Sequence, residues 1–210
     1  MPLDAILVKF EKSPSHEGDA ICAAVRAADL DCRTITLHAA VKGREVYAYA
    51  WLAVPSPEDY ASTIRFSQAL SNDRRTDGAA MTVLPLELLL DLKGASAGET
   101  ARYHYVVEAG VDANHERDFN AWYDVEHLHG LAAVPGCVRA RRLRSLEKVG
   151  ERAFYVACYD LVADNVLMSE AWLAVRRTPW SDRVRPTFRG TTRTLFRTVA
   201  RIPAAASVSR

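Results

Sequence analysis

The sequence lacks the cysteine pattern of a metal-binding or redox protein. Its 210 residues include four cysteines, Cys22, Cys32, Cys137 and Cys158, but no C-x-x-C pair. Zinc ribbons and redox dithiols need cysteines at such close spacing. We therefore expect the four thiols to be reduced and structural.

Long hydrophobic segments and a strong net charge are also missing. The longest apolar run, MTVLPLELLLDL, is too short to span a bilayer and contains a glutamate and an aspartate. The N-terminal segment MPLDAILVKFEKSP lacks the long apolar region of a signal peptide. A formal net charge of +1 gives no general attraction to nucleic acid or to anionic lipid. We expect a soluble, cytoplasmic protein with no nucleic-acid or membrane partner.

The sequence does have an ordinary globular composition, 49% hydrophobic and 25% charged, with alternating strand and helix patterns. In the first half these patterns predict strand 4–11, helix 16–30, strands 32–41 and 46–54, helix 57–71 and strand 79–91. The small polar segment KGASAGET, 93–100, is typical of a linker. In the second half they predict strand 102–109, helix 114–132, strands 136–146 and 152–161, helices 164–177 and 180–188, and strand 191–199.

Both halves therefore follow the β-α-β-β-α-β order of the ferredoxin-like plan. The segments SQALSNDRRT and SEAWLAVRRT share five residues at matching places, which supports a tandem duplication. We predict two repeats, 1–94 as a scaffold copy and 100–202 as the copy that carries a pocket. The predicted fold class is α+β, in which the two antiparallel sheets bury their open faces against each other and form an α/β barrel. Such a chain would be a monomer or a homodimer.

The helix in DFNAWYDVEHLHGLAAVPGC, 118–137, carries polar residues on the side predicted to be buried. At 100° per residue, one arc of the helix holds Phe119, Trp122, Tyr123, Glu126, His127 and Gly130, with Asn120 at its edge. The opposite side holds Ala121, Val125, Leu128 and His129. Burying ionisable groups without partners is costly, so these groups have partners or line a cavity.

A simpler interpretation is that His127 hydrogen-bonds a backbone carbonyl near VPGC and only fixes that turn. A metal site is not predicted, because His127 and His129 lie about 200° apart on the helix and cannot chelate one ion. No H-E-x-x-H or other paired ligand spacing occurs elsewhere.

The segment DFNAWYDVEHLHGLAAVPGCVRARRLR resembles the helix and following strand of the EthD-like group in the dimeric α/β-barrel superfamily. Trp122, Tyr123 and His127 match its W-Y-x-x-x-H helix, and Pro135 and Gly136 match its Pro-Gly turn. The later TPWSDRVRPTFR resembles the helical stretch that precedes the last strand in bacterial relatives. The first helix of the N-terminal half has no tryptophan, tyrosine or histidine at the matching places.

The resemblance implies chemistry without a cofactor on an aromatic or polyketide-like small molecule: dehydration, decarboxylation, isomerisation, or oxygenation of an activated phenol. We therefore predict a cofactor-independent lyase, dehydratase or isomerase whose substrate lies between the sheet and the helices of the C-terminal half. A cofactor-free monooxygenase, a haem-binding protein and a non-catalytic ligand-binding protein are the alternatives. The residue pattern does not distinguish among these reactions or identify the substrate.

Three residues are predicted to be catalytic. His127 suits an acid or base, because an unperturbed histidine titrates near pH 6.5. Tyr123 would donate a hydrogen bond to a developing enolate or phenolate oxygen. Glu126 would orient the imidazole or share its proton, and the alternative is an ion pair with an arginine of the following strand.

Other residues are predicted to bind the substrate: Phe119, Asn120, Trp122, His104, Trp180, Arg183 and Arg185. An arginine beside aromatic walls can hold a carboxylate or phenolate, although a solvated basic surface is the alternative for each arginine. Strand alternation leaves open which face of 102–109 lines the pocket. The basic run RARRLR, 139–144, is interpreted as a solvated strand or a subunit contact.

Overall fold

The computed structural model describes residues 2–12, 16–56, 60–148 and 150–203, which fall into two compact units. Unit 1 extends to Glu87 and includes the residues from Thr198 onward, and unit 2 is Leu88–Arg197. These limits differ from the predicted repeats, 1–94 and 100–202, because two long strands contribute residues to both units.

Unit 1 has two helices and an antiparallel sheet. Its elements are β1 (Leu3–Phe10), α1 (Glu17–Ala27), β2 (Cys32–Ala40), β3 (Val46–Ser56), α2 (Tyr60–Ser71), a 3-10 turn (Arg74–Thr76) and the first part of β4 (Met81–Lys93). The strands pair in the order β4-β1-β3-β2. Residues on the buried face of α1 include Ile21, Ala24 and Val25, as the helical spacing predicts.

Unit 2 has the same plan with more helical pieces. Its elements are β5 (Tyr103–Val111), α3 (Ala113–Trp122), a π-helical turn (Tyr123–His127), α4 (Leu128–Ala132), β6 (Cys137–Ser145), β7 (Ala153–Leu161), a 3-10 helix (Asp164–Met168), α5 (Glu170–Val175), α6 (Pro179–Val184), a 3-10 turn (Arg185–Thr187) and β8 (Phe188–Pro203). The strands pair in the order β8-β5-β7-β6.

The predicted α+β fold class is confirmed, since the strands within each unit pair antiparallel and both units have the β-α-β-β-α-β order. The start predicted for the second helix, at 57, lies outside the described residues. The helix predicted at 164–177 is divided into two pieces by Ser169, whose backbone is extended at ψ 148°. The Ser169 hydroxyl accepts a hydrogen bond from the Trp172 amide and thereby caps α5.

The helix predicted at 114–132 is continuous but contains one wide turn. The Leu128 amide donates to the Tyr123 carbonyl five residues earlier, which is the π-helical pattern. This turn takes up one extra residue, so positions after it are rotated relative to a regular helix. Leu128, predicted to face outward, is therefore fully buried, and Glu126, predicted to face inward, lies at the edge of the buried face.

The two faces of the unit 2 sheet carry different chemistry. Tyr105 on β5 lies opposite Tyr159 on β7, and their side chains share the face covered by the helices. His104 lies opposite Asp160, and alternation places both on the other face. The helices therefore cover the face of strand 102–109 that carries Tyr103 and Tyr105.

The interpretation of the RARRLR run as a solvated strand is wrong for two of its arginines. Arg141 is buried and donates to Asp160 over 3.0 Å, and Arg142 is buried beneath α3. Both find carboxylate partners, which is the condition under which an arginine is buried in a protein.

The four cysteines form no disulfide. Burial raises the pKa of the Cys137 and Cys158 thiols to about 12, so both stay protonated. Within the described ranges, no helix has the length and apolar character needed to cross a membrane.

Candidate functional site

A pocket lies in unit 2 between the sheet and the helices. Its cavity volume is about 30 Å³, and the whole empty region around it, which includes open solvent, is about 370 Å³. The residues that line it are Tyr105, Val107, Trp122, Tyr123, His127, Leu131, Tyr159, Trp172, Arg176, Arg185, Phe188 and Arg193. A cavity of this size has room for about two water molecules, and the pocket continues from it into open solvent.

His127 is the buried imidazole in the wall of this pocket. Only 7% of its surface is exposed, and its Nδ1 has no hydrogen-bond partner among the described residues. Its ring stacks on the Trp122 indole, with 3.9 Å between centroids and 19° between planes. The alternative prediction is that His127 hydrogen-bonds a backbone carbonyl near VPGC. Its Nδ1 makes no such bond to any described residue.

The π-helical turn makes this stacking possible. In a regular α-helix, side chains five residues apart point about 140° away from each other. Trp122 and His127 are five residues apart, yet they stack because the wide turn between them reduces that angle. The turn therefore positions the imidazole against the indole, in agreement with the frequent occurrence of π turns at functional sites.

Burial keeps two polar side chains of the pocket wall, His127 and Tyr123, in their neutral forms. Burial, followed by the charges of Arg185 and Arg176, lowers the pKa of His127 to about 3. Burial raises the pKa of Tyr123 to about 12. The pKa of His127 therefore lies well below the unperturbed value near 6.5, and the imidazole is neutral at pH 7.

Two further polar atoms of pocket residues have no hydrogen-bond partner in the described part of the chain. They are Trp122 Nε1 and the Tyr159 hydroxyl, and both side chains are 1% exposed. Buried polar atoms in native structures are usually hydrogen-bonded, so unpartnered ones call for an explanation. Three such atoms, counting His127 Nδ1, belong to residues that line one pocket.

Three arginines also line the pocket: Arg176 after α5, Arg185 in the 3-10 turn and Arg193 on β8. Arg176 and Arg185 are half-buried, and Arg193 is exposed. Arg185 donates to the Arg176 carbonyl over 3.3 Å. No aspartate or glutamate is among the pocket residues.

Asn120 and Phe119, predicted to bind the substrate, instead surround a buried cation beside the pocket. The Arg142 guanidinium lies 4.6 to 5.0 Å from the ring centroids of Phe119, Tyr123 and Tyr155. It donates to Asp124 over 2.9 Å and also to the Asn120 side-chain oxygen. Arg142 therefore connects β6 to α3 and the π-helical turn. Of the residues around Arg142, Tyr123 also lines the pocket.

Glu126 and His104 also lie outside the pocket wall. Glu126 accepts a hydrogen bond of 2.6 Å from the Thr178 hydroxyl, which in turn caps α6. It therefore connects the helix to α6, and neither the predicted contact with His127 nor the alternative ion pair is formed. His104 bonds Asp160 over 2.7 Å on the opposite face of the sheet.

Trp180 and Arg183 belong to a surface cluster. The Trp180 indole donates to Asp118 over 3.0 Å, and the Arg183 guanidinium donates to both oxygens of the same carboxylate. Arg183 lowers the pKa of Asp118 by these bonds. Arg183 therefore lies on the solvated surface, as the alternative prediction had it. Arg185, two residues later, lines the pocket.

The sequence analysis did not predict several of the residues that line the pocket. Tyr159, Trp172 and Arg193 come from different elements and meet only in the folded unit. Arg176 stands in the basic segment RRTPWSDRVRPTFR, but nothing there separates it from Arg177, which is exposed. Phe188 was visible as an aromatic neighbour of Arg185.

The chain matches no protein-family model and no curated protein sequence. It shares its fold with an anthrone oxidase-like protein, at 14% identity and TM-score 0.62, over 99% of this chain and 96% of the other. A candidate monooxygenase from Lactobacillus acidophilus is 10% identical with TM-score 0.55, over 99% of both chains. A variant of chlorite dismutase from Candidatus Nitrospira defluvii is 8% identical with TM-score 0.58, over 94% and 92%. At such identities the likeness shows the fold alone, which is that of the ferredoxin-like antiparallel α/β proteins.

Proposed function

We propose that unit 2 is a small cofactor-free enzyme that performs acid–base chemistry on an aromatic or polyketide-like small molecule. The observation that carries the proposal is His127, a buried imidazole with an unpartnered Nδ1 in the wall of a pocket. A lyase, dehydratase or isomerase needs such a group to move a proton. The aromatic wall formed by Trp122, Tyr105 and Trp172 suits a flat substrate.

The neutral state of His127 defines its role as a base. It takes a proton from an acidic C–H or O–H of the substrate when the resulting anion stays beside the imidazole. Arg176 and Arg185 lower its pKa in the free protein, and an anion between them and the ring offsets that effect. Tyr123, whose pKa of about 12 keeps it protonated, donates to the oxygen on which the negative charge develops.

The same proposal includes membership of the EthD-like group and descent by tandem duplication. Its support is the W-Y-x-x-x-H motif, whose three side chains Trp122, Tyr123 and His127 line the pocket. Further support is the shared β-α-β-β-α-β order of the two units.

Oxygenation is the second candidate reaction, favoured by the fold neighbours that are named as an anthrone oxidase-like protein and a candidate monooxygenase. A cofactor-free oxygenation also begins with removal of a substrate proton, which His127 would accept. The carbanion then reacts with dioxygen. For anthrone, the balanced result is anthraquinone and one water molecule from anthrone and dioxygen.

Anthrone and a panel of enolisable polyketide-type ketones test both candidates. We expect the protein to accelerate exchange of the acidic hydrogen for deuterium under argon, and His127→Ala to reduce the rate about 100-fold or more. His129→Ala is the matched control, because His129 is exposed on the same helix. Oxygen uptake in air, absent under an isomerase mechanism, identifies the oxygenase. Full exchange activity in His127→Ala would refute the assignment of the base.

Haem, suggested by a further fold neighbour that is named as a haem-degrading enzyme from Listeria monocytogenes, does not fit this pocket. The rings of Tyr105, Tyr159 and Trp172 lie with centroids 5.2 to 6.2 Å apart, and the cavity that they help to line has a volume of only about 30 Å³. A macrocycle as large as haem would displace these rings, so we derive no step through haem. Addition of haemin to the purified protein should produce no Soret band of a histidine-ligated haem.

A further inference from the structure

The pocket carries positive charge that is not balanced within the protein. Arg176, Arg185 and Arg193 line it, and no carboxylate among the described residues forms an ion pair with them. After burial, the charges of Arg176 and Arg193 are what lower the pKa of Arg185 most, and Asp182 offsets them only in part. A bound anion would relieve this repulsion.

Two neighbouring arginines of the same unit are paired with carboxylates. Arg183 pairs with Asp118, and Arg189 pairs with Asp112, each over 3.1 Å. Carboxylates are therefore available to some surface arginines near the pocket, whereas the three pocket arginines have none among the described residues.

The pocket wall also combines cationic side chains with buried polar atoms. Arg193 is exposed and Arg176 and Arg185 are half-buried. Trp122 and Tyr159 are each 1% exposed, and the Trp122 indole nitrogen and the Tyr159 hydroxyl have no partner among the described residues. Aromatic rings make up much of the remaining wall.

We infer that the substrate is an aromatic carboxylate that also carries a hydroxyl or carbonyl oxygen on its ring. Arg176 and Arg185 hold the carboxylate, since the planar guanidinium matches its two oxygens. The ring lies against the aromatic wall, and its oxygen meets the Trp122 indole and the Tyr159 hydroxyl. This inference rests on the proposed function, because it names the substrate class of the same pocket.

Two probes of equal shape test the charge requirement: 6-hydroxy-2-naphthoate and its neutral amide, 6-hydroxy-2-naphthamide. Calorimetric titration of the full chain should show the amide binding at least tenfold more weakly. Arg176→Gln and Arg185→Gln should each weaken binding of the naphthoate about tenfold and leave binding of the amide unchanged. The matched controls are Arg177→Gln and Arg183→Gln, which remove an adjacent arginine outside the pocket.

Each outcome of this experiment has a distinct meaning. Equal affinity for the two probes overturns the carboxylate site but leaves the proposed pocket intact. If neither probe binds, the carboxylate site fails, and the proposed function is decided separately by the exchange experiment with His127→Ala. A weakening by Arg183→Gln as large as that by Arg185→Gln shows a general attraction to positive charge and also overturns the site. Circular dichroism and thermal unfolding establish that each variant is folded.

Discussion

At the scale of single residues, burial sets the chemistry of this pocket. His127 and Tyr123 are both neutral at pH 7 because the folded unit excludes water from them. Three arginines line the same pocket, two of them half-buried and one exposed. The pocket therefore combines a neutral proton-transfer pair with cationic side chains.

The low pKa of His127 has a consequence for stability at acid pH. The unfolded chain binds a proton at this residue below about pH 6.5, whereas the folded chain does so only near pH 3. Between these values the unfolded state binds more protons, so the free energy of unfolding falls as the pH falls. When the pH is lowered from 7 to 4.5, the free energy of unfolding should fall by about 2 kcal/mol less in His127→Gln than in the wild type. Urea unfolding at the two pH values measures this difference. His129→Gln, which alters an exposed imidazole, should keep the wild-type loss. Identical acid sensitivity in His127→Gln would contradict the assignment.

Substitutions of Arg142 test how much a buried cation contributes to the free energy of unfolding. Its side chain is 1% exposed, its Nε has no partner, and its charge lies among three aromatic rings. Replacement by methionine keeps most of the volume and removes the buried charge, so we expect a change within about 1.5 kcal/mol. Alanine leaves a cavity beneath α3 and should cost about 3 kcal/mol. Urea unfolding compares the two, and an equal loss in both would mean that the charge itself stabilises the fold.

At the scale of helices and strands, hydrophobic periodicity predicted most elements because it depends on local sequence. The periodicity assumed 100° per residue throughout, and the π-helical turn at Tyr123–His127 breaks that assumption. The wrong orientations of Glu126 and Leu128 follow from this turn, since no residue type marks it in the sequence. Arg176 and Arg193 were missed for another reason: they meet only when a helix end and a strand converge on the same pocket.

The contact between α4 and α5 depends on a glycine. A Cβ atom added at Gly130 would lie 2.8 Å from Val175 Cγ1, and the stiff valine cannot move aside easily. We expect Gly130→Ala to destabilise the protein by about 1 kcal/mol, although alanine favours a helix. In a Val175→Ala background the clash is absent, and the same substitution should stabilise the protein. Thermal unfolding of the four variants measures this reversal of sign, and additive effects would show that the two helices do not constrain each other.

At the scale of the whole molecule, two units of similar plan differ in what their first helix presents to the sheet. In unit 2 the buried side of α3 and the π-helical turn carries Trp122, Tyr123 and His127. In unit 1 the buried residues of α1 are small or aliphatic. The same sequence of elements therefore supports a polar pocket in one unit and an apolar core in the other.

This difference predicts one ligand per chain. A site in unit 1 like that of unit 2 would need polar atoms on the buried side of α1, where Ile21, Ala24 and Val25 offer none in their side chains. Calorimetric titration with 6-hydroxy-2-naphthoate should therefore give a stoichiometry near one, with a single transition. Ile21→Trp fills unit 1 further and should not alter that affinity, whereas Leu131→Trp narrows the pocket and should abolish binding. Two equivalent sites per chain would mean that the apolar interior of unit 1 also opens to ligands, and that specificity does not depend on the polar helix of unit 2.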